Sequence, residues 1–126
     1  MKHNTMLTVA SLLSLLFLTL HITDDIVRGI SKAESSNTAL LVLPVFLYGT
    51  LVLPERRPGH VIMLLIGLFA AAMPVMHTRG AHYGEIAKSP GGFFFVWTSW
   101  ALGGLGGFTL ILSARGLWDL RRSRPQ

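Results

Sequence analysis

Four stretches of this chain contain no Asp, Glu, Lys or Arg, and no other feature limits its fold as tightly. They cover residues 6–22, 38–53, 61–76 and 93–114, each close to the roughly 20 residues that a helix needs to cross about 30 Å of hydrocarbon. A helix on the surface of a soluble bundle would show a polar solvent face, which these stretches lack. The expectation is therefore an all-α fold: a polytopic membrane protein with four transmembrane helices in an antiparallel bundle, forming one domain over residues 1–126. Charged residues make up 13% of the chain, about half the share a soluble domain carries.

The connections are short and well marked. Lys2 precedes the first apolar stretch, and Ser31-Lys32-Ala33 has the small-x-small form of a cleavage site. Some ten residues separate the two, among them His21, Asp24, Asp25 and Arg28, so an uncleaved helix is predicted rather than a signal peptide. That helix extends beyond the apolar stretch to about residue 30. Pro54-Glu55-Arg56-Arg57-Pro58-Gly59 reads as a tight turn, bounded by residues that do not continue a helix, which makes helices two and three antiparallel neighbours. An outer loop over 78–92 precedes helix four, and a basic tail covers 115–126.

Basic residues set the orientation. Lys2, Arg56, Arg57, Arg115, Arg121, Arg122 and Arg124 fall on one side, and Arg28, Lys32, Arg79 and Lys88 on the other. The richer side is predicted to face the cytoplasm, with both termini there. Acidic residues sharpen the contrast, because Asp24, Asp25, Glu34 and Glu85 balance the outer bases while only Glu55 and Asp119 oppose the inner ones. Trp97, Trp100 and Trp118 suit the two interfacial belts. The formal charge of +5 does not point to nucleic acid, since the run Arg121-Arg122-Ser123-Arg124 directly follows a span and would meet anionic lipid. Compact size and short loops suggest a bacterial inner membrane.

Ser99, Gly103 and Gly107 form a small-xxx-small row on helix four, and Gly67, Ala71 and Pro74 a matching row on helix three. Such rows serve packing within one chain, or a homo-oligomer or larger membrane complex. Pro44 removes a backbone hydrogen bond inside helix two and predicts a kink, with Tyr48 one turn later.

The chemistry-bearing residues gather at the outer end. His21, Asp24, Asp25 and Arg28 follow a helical spacing, and positions 11, 14, 18, 21, 25 and 28 extend it into a stripe that should face the bundle interior, because polar groups facing lipid are costly. Helix three ends on the same side with His77, followed by His82 and Glu85. The candidate ligand or proton site is thus His21, Asp24, Asp25, His77, His82 and Glu85. For a metal the candidates are His21, Asp25 and His77, since imidazole and carboxylate together suit zinc, iron or copper. A b-type haem would need His21 and His77 opposed across the core. The plain alternative is a structural polar cap, with Asp24 and Arg28 as an ordinary helical ion pair. His60 reads as interfacial, and His3 carries no signal.

No cysteine is present, which excludes disulfides, Cys-ligated zinc, iron–sulfur clusters and c-type haem. No nucleophile elbow or phosphate loop occurs either, so no catalytic residue is predicted and the sequence requires no cofactor. In size and four-span layout the chain resembles small multidrug transporters and DoxX-like membrane proteins; it lacks the membrane-embedded glutamate of the former, and no residue roles carry over. The leading functional expectation is an interaction or assembly component of the membrane with a His/Asp cap. A small-solute or proton-coupled binding or transport protein is the second expectation, and a metal- or haem-dependent redox protein the third.

Overall fold

Long uncharged stretches form long helices, and in the computed structural model, which describes residues 2–34 and 36–123, three of them are long and apolar enough to cross a membrane. These are α1 (His3–Val27), α3 (Arg57–Thr78) and α5 (Gly92–Arg122). The second apolar stretch forms α2 (Thr38–Leu51), whose 14 residues reach only about 21 Å at 1.5 Å per residue. The predicted outer loop holds a further short helix, α4 (Tyr83–Lys88). Among the described residues there are no strands. Arg124, counted above among the basic residues, lies outside the described residues.

Local chemistry fixes the ends. Gly29 takes φ +73°, its amide donates to the Ile26 carbonyl and that of Ile30 to the Asp25 carbonyl, a left-handed glycine cap that stops α1 at Val27. Asn37 caps α2 by accepting from the Ala39 amide, while its own amide group donates to Ser31 Oγ and the Lys32 carbonyl. Helix α2 then continues through Pro44. The turn before α3 is shorter than predicted, because Pro58 lies within the first helical turn, where its missing N–H has no partner to lose. Helix α5 runs on to Arg122, so most of the basic tail is helical.

Helix α5 is the spine. It packs along the length of α3 and against α1, while α2 rests on α1 and α3. The core is built from Leu7, Leu18, Phe46, Met63 and Leu102, among others. Exposed Leu, Val, Ile, Phe and Trp side chains cover much of the outside, including Trp97, Trp100 and Trp118. On α5 the close approach to α3 is made by Gly103 and Gly106. A Cβ at Gly106 would lie 2.7 Å from the Ala71 nitrogen, and one at Gly67 would lie 2.9 Å from that of Leu110. Gly107 has nothing near the place of its missing side chain. The contact row thus steps by three where the sequence row steps by four, and both steps keep residues on neighbouring parts of one helix face.

Two ends result. His3 and the turn over 52–56 sit at one, here called the terminal end. The connections 28–37 and 79–91 sit at the other, the loop end.

Candidate functional site

The stripe on α1 faces inward. Ser11, Ser14, Leu18, His21 and Asp25 are all buried, as expected of a polar row on a helix whose other faces are apolar. Ser14 Oγ lies 3.1 Å from Thr109 Oγ1 on α5, and Ser11 Oγ donates to Met63 Sδ on α3. Three helices are thereby tied together along one polar seam.

At the loop end of that seam His21, Asp25 and His77 converge. His21 is 0% exposed and Asp25 8%. His21 Nε2 lies 2.6 Å from His77 Nε2, and Asp25 approaches both, with Oδ1 3.9 Å from His21 Nε2 and Oδ2 3.6 Å from His77 Nε2. Their ligand-capable atoms all lie within 4.8 Å of one another. Phe95 on α5 closes the wall: its ring stacks on His77 at an interplanar angle of 1° and lies 5.3 Å from His21.

Thr98 orients the His21 ring. The Thr98 hydroxyl donates its one proton to the Phe94 carbonyl at 2.8 Å. It must therefore accept in its 3.1 Å contact with His21 Nδ1. Nδ1 then carries the ring proton, and Nε2 of the neutral ring is the acceptor in the 2.6 Å contact with His77 Nε2. This is how a metal-binding histidine is usually held, by a hydrogen bond from its far nitrogen. Asp25 adds a second sign. Its Oδ1 is buried with no hydrogen-bond partner, and among the described residues the basic side chains within 4 Å of its carboxylate are the two histidines.

The other predicted site residues have different roles. Asp24 Oδ2 accepts from Arg28 Nε at 2.8 Å, and the same guanidinium donates to Ser89 Oγ and the Pro90 carbonyl. Arg28 also lies 5.7 Å from the Phe95 ring centre. This pair thus anchors the turn before α5 to α1. His82 and Glu85 bond to each other on α4, with side chains 78% and 82% exposed, apart from the buried triad. Thr98, Phe95 and Ser89 carry no signal in the sequence beyond their spacing: Phe95 and Thr98 share a face of α5 at i, i+3.

Haem does not fit between His21 and His77. Two imidazoles on opposite sides of one iron need nitrogens about 4 Å apart, from two bonds of about 2 Å each, and a flat slot between the rings. Here the nitrogens touch and the ring centres are 4.6 Å apart. A single ion bonded to both from one side is a smaller change. Tetrahedral bonds of about 2.05 Å separate the nitrogens by about 3.3 Å, and His77, the more exposed ring, can open that gap. Comparison with protein families, curated proteins and solved structures finds no match, so the functional reading rests on these residues.

Proposed function

We propose that the chain is a small integral membrane protein that binds a divalent transition-metal ion of the zinc class at the loop end of its bundle, through His21, His77 and Asp25. The observation that carries this reading is the convergence of His21 Nε2, its ring oriented by Thr98, on a second imidazole nitrogen and a buried, unpartnered carboxylate oxygen. Nitrogen and oxygen donors of this kind suit zinc and its neighbours rather than calcium or magnesium. The carboxylate offsets ion charge that an uncharged core would leave unopposed. The reading as an assembly component drew on the glycines of α5, and Gly103 and Gly106 now have partners inside the chain, in Pro74, Ala70 and Ala71.

In the membrane, α1, α3 and α5 span, and α2 makes a shorter fourth crossing. The terminal end, rich in Lys and Arg, faces the cytoplasm, so the triad opens toward the outer compartment.

The test is zinc binding by the full chain, tag-free in mild detergent, measured by competition with a chromophoric chelator. Co2+ substitution reports geometry through its visible spectrum. The expected result is a bound ion that His21→Ala weakens at least 100-fold and that gives a tetrahedral Co2+ spectrum. Zinc binding unchanged by the double variant His21→Ala/His77→Ala overturns the reading.

A further inference from the structure

Two more histidines lie at the opposite end of the same three helices. His60, in the first turns of α3, is 2% exposed. Its Nδ1–H donates to the Arg56 carbonyl at 3.1 Å, which leaves Nε2 as the lone pair, as in His21. That edge of the ring lies against Gly116 of α5. Any Cβ at residue 116 would overlap His60 at Cδ2 and Nε2, and it would stand 3.4 Å from His3 Nε2 on α1. Gly116 therefore leaves room for both rings against the same spot on α5.

His3 has an unmet requirement there. Both of its ring nitrogens are buried and neither has a hydrogen-bond partner, although a neutral imidazole presents one donor and one acceptor. Ser113 Oγ, one turn back on α5, is also buried without a partner. Imidazole nitrogens from two helices make up a donor pair for an intermediate-softness divalent ion.

We infer that His3 and His60, brought together against Gly116, form a second transition-metal site at the terminal end of the bundle, with solvent completing the coordination. It takes the same class of ion as the triad, and in that choice of class it rests on the proposed function. The two sites are well separated. His3 and His21 are five helical turns apart on α1, about 27 Å, and Leu18 and Leu102, both fully buried, fill the core between them. They load independently.

The experiment measures zinc per chain on tag-free protein in mild detergent, for wild type, His21→Ala/His77→Ala, His60→Ala, His3→Gln and Gly116→Ala. Wild type should hold two equivalents, and each histidine variant one. His3 sits half-buried at the start of α1, so His3→Gln leaves the core untouched and still must lose the inner ion. Gly116→Ala removes no ligand, but its added methyl occupies the meeting point and should weaken the inner ion at least tenfold while leaving the outer one intact. Two equivalents retained in both His60→Ala and His3→Gln would falsify the inner site, and so would loss of all zinc in the His21→Ala/His77→Ala variant. A single equivalent in wild type, kept in that double variant and lost in His3→Gln, would uphold the inner site and sink the outer one.

Discussion

Thr98 decides what His21 can do. A hydroxyl whose proton is committed to a carbonyl can only accept, and this fixes the imidazole with its ligand nitrogen toward His77 and Asp25. Thr98→Val keeps the shape and removes the acceptor. Loss of a partner of this kind costs a metal site roughly 10–100-fold in affinity, so chelator competition should show a drop of that size, with Thr98→Ser near wild type. Equal affinity in Thr98→Val would mean that the hydroxyl does not orient the ring. Acidification has a sign as well: a proton competes with the ion for each imidazole and for Asp25, so zinc affinity should fall as pH drops. A dissociation constant that does not rise at all on acidification would exclude imidazole ligands. His21, Asp25 and His77 were readable from the α1 stripe and from the alternation of helices that brings the end of α3 alongside. Thr98 was not, because one hydroxyl in an apolar stretch looks like any other until its register against α1 is known. His82 and Glu85 were grouped with the triad because they share its end, and the face that α4 presents depends on a turn the pattern does not encode.

At the scale of elements, α3 and α5 meet through absent side chains, and those two helices carry His77 and Thr98. Gly106→Val would drive methyl groups into Ala70 and the Ala71 backbone. Overpacking of this sort costs about 1–3 kcal/mol, and it should appear as a lower melting temperature in detergent together with weaker metal binding. Gly104 has open space around it, and Gly104→Ala should be neutral or stabilising. If the two variants melt alike, the contact row is misplaced. The sequence row of small residues identified the right pair of helices but placed Gly107 rather than Gly106 at the contact, since a glycine-rich helix offers several rows and only the crossing geometry selects one. Arg28 performs a different joining task, holding Ser89 and Pro90 to the end of α1. Arg28→Gln leaves Asp24 and that turn without their charged partner. Hydrogen exchange should then speed up across residues 83–92 while the amides of α3 stay protected, and uniform acceleration along the chain would show that the anchor is not local.

For the whole molecule, charge and length act together on how the chain sits in a bilayer. In the proposed four-span arrangement helix α2 would cover about 21 Å of a hydrocarbon layer near 30 Å, and the segment leading into it would approach the membrane. Backbone at that depth needs internal partners, and Asn37 provides them by bonding to Ser31 and Lys32 while capping the helix. A short crossing of this kind is accommodated by local thinning or tilt at modest cost, which leaves orientation to the basic residues. Among the described residues six lie toward the terminal end and four toward the loop end, with two and four acidic residues beside them. The absence of cysteine makes the consequence measurable. Gly84→Cys sits exposed on α4 with open space around it, and Lys2→Cys sits exposed ahead of α1. A membrane-impermeant maleimide applied to right-side-out vesicles should label Gly84→Cys at once and Lys2→Cys only after permeabilisation. The reverse pattern would invert the protein and place His21 and His77 on the cytoplasmic side. Immediate labelling of both would mean that no bilayer separates the two ends, and the two histidine clusters would then face a single compartment.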